Sequence, residues 1–215
     1  MSNPMAVLDI PKRGTLAYLE EFPNEVLTMS FDEYWDNELK NEYKSQFFKN
    51  KVTTIMAYTS ENHNRLFLKV TRLLGEYVDN KGWKMAGETR PVWMPTCELN
   101  TYPDVFIVEK SNMIKRKGYQ LAEMTPSVII EILSESTAEY DKGEKWRCYQ
   151  TIESLKQYVL ISQDQCLVET YDNKNGEWIY NSFKGADAKV LIAGLTIPLS
   201  KLYQNIDFLE ENTSI

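Results

Sequence analysis

One carboxylate set inside an apolar run constrains this chain more than any other feature. Val128-Ile129-Ile130-Glu131-Ile132-Leu133 is aliphatic at every other residue of the run, and such a segment reads as a strand buried on both faces, where an unpaired charge is costly. Something must compensate Glu131. A second acid has a similar setting. Pro103 cannot donate to a sheet ladder and so marks the first residues of a strand, Asp104 follows it, and Val105-Phe106-Ile107-Val108 carries that strand into the core. Two such carboxylates brought together would repel, and one would take up a proton unless a cation lay between them.

Beyond Leu133 the pattern changes. Ser134-Glu135-Ser136-Thr137 ends the strand, and from Ala138 to Thr151 the residues Trp146, Tyr149 and Gln150 recur at helical spacing, with Ser136 or Thr137 as N-cap. Asp141, Lys145 and Tyr149 follow at i,i+4 intervals, so one face of the helix presents an acid, an ammonium and a phenol in line. Two acids and an ammonium on adjacent elements are the minimum set for holding a divalent cation beside a phosphodiester and activating a water molecule. The residues also admit a plainer reading: Asp104 caps a turn, Glu131 pairs with a buried Lys or Arg, and Asp141–Lys145 is an ordinary pair on a solvated face.

These segments resemble the Uma-type putative restriction endonuclease family, within the PD-(D/E)XK nuclease superfamily. Tyr102-Pro103-Asp104-Val105, the run from Pro126 to Thr137, and the ordered set Asp141, Lys145, Tyr149 carry the resemblance. Met29–Tyr34 is similar to the family's opening helix, Met56–Asn64 to its strand-to-helix joint, Gln157–Ile161 to its next core strand, and Ile197–Leu199 with Leu202-Tyr203 to its closing segment. The resemblance implies an α+β or α/β fold, restriction-endonuclease-like, with a mixed β-sheet core flanked by helices. It implies a Mg²⁺- or Mn²⁺-dependent endonuclease acting on nucleic acid, DNA above all, with Asp104 and Glu131 as catalytic metal ligands and the Ile132 carbonyl as a candidate third. The third place of the (Asp/Glu)-x-Lys motif is Leu133 here. The role of its lysine passes to Lys145 on the following helix, with Lys142 as runner-up; a four-carbon stem reaches back about one helical turn. Gln46 stands where the family's pattern has an acid. Leu133, Gln46 and the acidic charge also motivate the other reading, a nuclease-fold module that binds nucleic acid or protein with little or no catalysis.

The remaining signals arrange a fold around that site. A weakly ordered arm is expected over residues 1–28 and a single domain over 29–215. Ser30 and Glu33 have capping-box spacing before a helix to Asn41, and Lys49-Asn50-Lys51 turns a hairpin. The clearest helix starts at Ser60 and runs to Asp79, with Leu66, Phe67, Val70, Leu73, Leu74 and Tyr77 as its apolar stripe. Its first turn carries Glu61 and His63. Glu61 is either a further metal ligand, as an acid on the first helix is in related nucleases, or a partner of the helix dipole. His63, the sole histidine, is an accessory candidate or a packing residue, and its being alone argues against a multi-histidine zinc centre. Asp141, Lys142 and Tyr149 are further accessory candidates. Strands are expected at Arg90–Met94, Val105–Glu109, Val128–Leu133, Gln157–Ser162, Leu167–Asp172, Trp178–Phe183, Val190–Ile192 and Leu195–Leu199, with a short helix near Leu202.

Composition bounds the function. The net charge of −7, from 24 basic and 31 acidic residues, opposes broad adhesion to a polyanion. A local basic cluster, Lys115-Arg116-Lys117, is either a contact to the phosphate backbone or a solubilising hairpin. Cys97, Cys148 and Cys166 form no Cys-x-x-Cys pair and are expected as reduced thiols. No apolar run approaches the ~20 residues that span a bilayer, and a soluble cytoplasmic protein without a membrane partner is expected. Double-strand cutting would call for a homodimer. Neither a phosphate-cradling glycine loop nor a Gly-x-Ser-x-Gly elbow is present.

Overall fold

The computed structural model describes residues 25–40, 44–55, 60–116, 119–134 and 137–208, with the backbone alone for 115, 116, 119 and 120. Residues 1–24 of the expected arm, Asn41 to Tyr43, Met56 to Thr59, Lys117, Glu135 and Ser136 lie outside the described residues.

The architecture is α+β, with mixed sheets and a few helices. In chain order the elements are β1 (Leu27–Thr28), α1 (Phe31–Glu38), β2 (Ser45–Phe48), β3 (Lys51–Thr54), α2 (Glu61–Asn80), β4 (Lys84–Ala86), β5 (Val92–Met94), β6 (Leu99–Thr101), β7 (Val105–Val108), β8 (Met113–Arg116), β9 (Tyr119–Glu123) and β10 (Val128–Leu133). There follow α3 (Ala138–Tyr140), a π turn (Asp141–Lys145), α4 (Trp146–Tyr149), β11 (Gln157–Ser162), β12 (Leu167–Lys174), β13 (Glu177–Lys184), β14 (Lys189–Ile192), β15 (Leu195–Pro198) and α5 (Leu199–Leu202). Among the described residues, one sheet has the order β13-β12-β11-β10-β7-β4 and another β1-β3-β2-β6-β5-β9-β8, with β14 and β15 as a separate pair.

The run Val128–Leu133 sits in the interior of the first sheet and all of it is buried. It pairs parallel with β11, Val128 facing Gln157 through to Leu133 facing Ser162, and antiparallel with β7, Val128 facing Ile107 through to Ile130 facing Val105. Alternation then sorts the side chains by face. Val105, Ile107, Val128, Ile130 and Ile132 meet the α2 stripe of Leu66, Val70, Leu74 and Val78. Phe106, Val108, Ile129 and Leu133 meet Trp146, Cys148 and Tyr149 together with Val92, Met94 and Leu99 of the second sheet. Each fully buried aliphatic side chain contributes about 1.5–3 kcal/mol, so two apolar layers clamp β10 and fix its register. A one-residue slip would move every side chain to the wrong face.

The expected elements at 60–79, 128–133 and 157–162 appear within a residue of their predicted limits. The Ser60 hydroxyl accepts from the His63 N–H and caps α2, and Ser30 with Glu33 forms a reciprocal capping box on α1. Lys49 and Asn50 both take positive φ, 48° and 63°, as a tight hairpin turn requires. The aromatic face of α1 is core rather than an open patch: Tyr34 and Trp35 are buried with Phe47 and Val52.

Three differences are instructive, whereas the basic segment Lys115-Arg116 lies in an edge strand, β8, that pairs antiparallel with β9 as the hairpin reading expects. Leu27–Thr28, expected in the irregular arm, pairs with β3. The helix expected over 138–151 is interrupted by the π turn, and Thr137 makes no side-chain cap there. Cys97 and Cys148, expected as reduced thiols, are joined in a disulfide. Their separation of 51 residues hides the pairing; the packing of the β5–β6 turn against α4 brings them together. Cys166 is free. Among the described residues no helix is long and apolar enough to cross a membrane.

Glu123, at the end of β9, ties the second sheet to the loop before β10. Its carboxylate accepts from the Ser111 hydroxyl at 2.7 Å, from the Asn112 N–H at 3.0 Å and from the Thr125 N–H and hydroxyl at 3.0 and 2.9 Å. Burial alone would raise its pKa, but these bonds outweigh it and hold the carboxyl below its ordinary 4.5. The stability they give is therefore present above the unfolded value and is lost as the pH falls through the lower folded one. Glu123→Gln should cost about 1–3 kcal/mol at pH 7, and urea titrations should show this gap closing as the pH drops below 4.5.

Candidate active site

Continuing the β7–β10 register by one residue sets Asp104 opposite Glu131, because Val105 faces Ile130. The two acids are thus neighbours by strand pairing alone. The Asp104 N–H donates to Glu131 Oε2 at 3.3 Å, and Asp104 Oδ2 accepts from the Ile132 N–H at 2.6 Å. Asp104 lies just before the first strand residue and is partly exposed, while Glu131 is buried among aliphatic and aromatic side chains.

Glu131 points to the face that carries the π turn and α4. Lys145 Nζ stands 2.8 Å from Glu131 Oε1 and 3.0 Å from Asp141 Oδ1, and the Tyr149 hydroxyl donates to Glu131 Oε1 at 2.7 Å. Asp141 and Lys145 are both buried, so their i,i+4 pair is not the solvated surface pair that such spacing usually makes. Tyr158 on β11 donates to the Asp141 carbonyl at 3.1 Å and anchors the turn to the sheet. Gln46 donates to the Tyr140 hydroxyl at 3.0 Å and accepts from Thr101 at 3.1 Å, which ties β2 and β6 to the start of this helical segment.

The charges set each other's protonation. Burial raises the pKa of Glu131 to about 7 against the opposing pull of Lys145. For Lys145 burial works downward, but the charges of Glu131 and Asp141 prevail and raise its pKa, so it remains an ammonium. Burial lifts the Tyr149 phenol far upward, and the Glu131 charge adds to this; it remains a donor.

A fourth acid and the sole histidine lie beside Asp104. His63 Nε2 lies 3.2 Å from Asp104 Oδ2. Burial alone would lower the imidazole's pKa; the Asp104 hydrogen bond and the charges of Asp104, Glu88 and Glu131 outweigh that and raise it. Glu88, which sequence patterns did not single out, offers a carboxylate oxygen within 4.8 Å of ligand atoms on His63 and Asp104. Its signal in the sequence is slight, a Gly-Glu pair between two short strands.

Of the expected site residues, Asp104, Glu131, Lys145, Asp141, Tyr149 and His63 come together. Four others do not join them. Glu61 spends its carboxylate on Arg65, in an exposed pair at 2.5 Å, because helix phase directs it away from the residue two positions on. Lys142 pairs with Glu169 on β12. The strand containing Lys115 and Arg116 belongs to the other sheet.

A family model described as "Uma2: Putative restriction endonuclease" matches residues 31–200. The Synechocystis protein sll1609, described as uncharacterised, is 31% identical over 159 residues, covering 74% of this chain and 89% of its own. A second uncharacterised Synechocystis protein, slr1290, is 25% identical over 182 residues, covering 84% of this chain and 94% of its own. A crystal structure from Anabaena variabilis, described as a putative nuclease belonging to DUF820, superposes with a TM-score of 0.61. It covers 78% of this chain and 96% of its own at 17% identity, so the likeness is one of fold.

Removing one member of the buried pair strands the other. Lys145→Met should destabilise the protein by about 3–5 kcal/mol, and adding Glu131→Gln should recover part of that loss. A double-mutant cycle measured by chemical denaturation checks the coupling; additive losses would mean that the two side chains act independently.

Proposed function

The chain belongs to the Uma2 family of putative restriction endonucleases, and from that premise we propose that it hydrolyses phosphodiester bonds of DNA with a divalent cation held by Asp104 and Glu131. The observation that carries this reading is the meeting of three elements at one point. A carboxylate from the start of β7 lies opposite a carboxylate inside β10, and an ammonium from the following helical segment lies 2.8 Å from the second.

The donor set fits Mg²⁺ or Mn²⁺, which favour oxygen ligands. Asp104 and Glu131 are cross-strand neighbours, the Asp104 N–H donating to Glu131 Oε2, and the buried Glu131, with a pKa near 7, is a group for which an added positive charge relieves the cost of ionisation. The Ile132 carbonyl is the candidate third oxygen. When bound, the cation supplies Lewis acidity toward the phosphate and lowers the pKa of a coordinated water.

The chain's own groups divide the remaining work. Lys145 is kept charged by Glu131 and Asp141, so it acts as a donor and a positive charge rather than as a proton acceptor. Two of its three N–H groups are committed to those carboxylates; the third is left to orient the attacking water or to hold a phosphate oxygen as charge develops. Tyr149 fixes the rotamer of Glu131 by donating to Oε1. Asp141 keeps Lys145 at the strand end.

The other reading, a nuclease-fold module that binds nucleic acid or protein with little or no catalysis, is motivated by Leu133 in the lysine place of the sequence motif, by Gln46 and by the acidic net charge. An ammonium more than one water away from the Asp104–Glu131 pair would favour it. Contact between Lys145 and Glu131 supports the catalytic reading instead.

Incubation with plasmid DNA, single-stranded DNA and RNA in Mg²⁺ or Mn²⁺ tests the proposal. Wild type should nick or cut DNA only with the cation present, and Asp104→Asn should lower the rate by about 10²-fold or more, as loss of a metal-binding or charge-stabilising group does. Undiminished cleavage by a folded Asp104→Asn protein would sink the assignment, and preferential cleavage of RNA would replace the substrate.

A further inference from the structure

We propose that Glu88 and His63 join Asp104 in a cation subsite, and that its imidazole ligand makes it select Mn²⁺ over Mg²⁺. The inference deepens the nuclease reading and rests on it only through the shared carboxylate of Asp104.

The geometry is specific. His63, Glu88 and Asp104 each offer a ligand atom, and these atoms all lie within 4.8 Å of one another. His63 is more than nine-tenths buried, yet its Nδ1 has no hydrogen-bond partner. Nε2 faces Asp104, and a buried ring nitrogen without a partner is costly, so hydrogen bonding within the chain satisfies one side of this ring and leaves the other open.

The backbone around Glu88 is shaped to bring its carboxylate here. The Glu88 N–H donates to the Pro103 carbonyl at 2.9 Å and to that of Asp104 at 3.3 Å, which clamps the 87–89 turn onto the Asp104 segment. Such an approach is open only to glycine at 87, since a Cβ there would lie 1.9 Å from the Asp104 carbonyl oxygen. Glu88 itself has φ +26°, a conformation that L-residues other than glycine seldom hold without compensation. A strained acid beside a shared aspartate and an imidazole with one unpartnered nitrogen is an arrangement that a bound cation would stabilise.

Chemistry then selects the ion. Mg²⁺ favours an all-oxygen shell with several waters, whereas imidazole nitrogen suits softer first-row cations. A subsite of one nitrogen and two carboxylates therefore discriminates against Mg²⁺. His63 stands at the N-terminal turn of α2, which is anchored along its length by the core, so the nitrogen is presented by a rigid element.

His63 is the only histidine in the chain, which makes the test unambiguous in protein prepared without a histidine tag. Electron spin-echo spectroscopy of Mn²⁺ added alone to the protein should show nitrogen coupling from an imidazole. Calorimetry should show Mn²⁺ binding about tenfold or more weakened in Glu88→Gln, with Mg²⁺ displacing it only in large excess. Thermal unfolding of metal-free Glu88→Gln checks that the variant is folded. Bound Mn²⁺ lacking nitrogen coupling, or unchanged affinity in folded Glu88→Gln, overturns the subsite; cation-dependent cleavage lost on Asp104→Asn would still stand in that event, so the two readings fail separately.

Discussion

A single buried ion pair organises this protein. Glu131 is carried into the interior by an aliphatic strand that has no other place in the fold, and burial makes its charge costly; Lys145, itself buried, is the group that answers it. In isolation such a pair is weak support for a fold, because desolvating two ions offsets much of their attraction. Here the pair is backed by Asp141 and Tyr149. The polar network fixes how the segment after β10 docks against the sheet, and with it the aromatic layer of Trp146, Tyr158 and Tyr171. Stability comes from the apolar layers on either side; the network specifies which helical face meets the sheet.

That division explains which parts of the site were readable beforehand. Asp104 and Glu131 were legible because each breaks a rule that its surroundings obey: a proline at a strand start, a charge in an apolar run. Lys145 was legible through i,i+4 spacing to Asp141, although spacing could not tell a buried pair from a surface one. Burial depends on Tyr149 and Trp146 packing against β11, which is a tertiary fact. In the first turn of α2, Glu61 and His63 were both candidates. Positions two apart on a helix diverge by about 200°, and only the docking of the helix on the sheet decides which one faces Asp104.

Glu88 was not legible, for a different reason. Its position follows from a turn that closes onto Asp104 through backbone hydrogen bonds, and no hydrophobic periodicity encodes such a turn. The short strands that the sequence reading omitted, β1, β4 and β6, are of the same kind: two or three residues long, they are recruited by neighbours rather than by their own pattern. The Cys97–Cys148 link likewise depends on packing between segments that are remote in the chain. The longest elements were carried by periodicity and the fold class by the family resemblance; the closing parts of the site were carried by contacts.

The π turn at Asp141–Lys145 has one more consequence. A wider turn accommodates one residue beyond the α-helical count, so everything downstream is rotated by about 100° relative to a regular helix. Lys145 and Tyr149 reach Glu131 in this altered phase. Deletion of Gly143 would keep every charged side chain of this segment while turning the ammonium and the phenol away from their partner together. Relatives of this chain are therefore to be compared by the angular position of their basic residue around the helix rather than by its count from the strand acid. A relative with lysine one place along is equivalent only if its helix carries or lacks the extra residue to match.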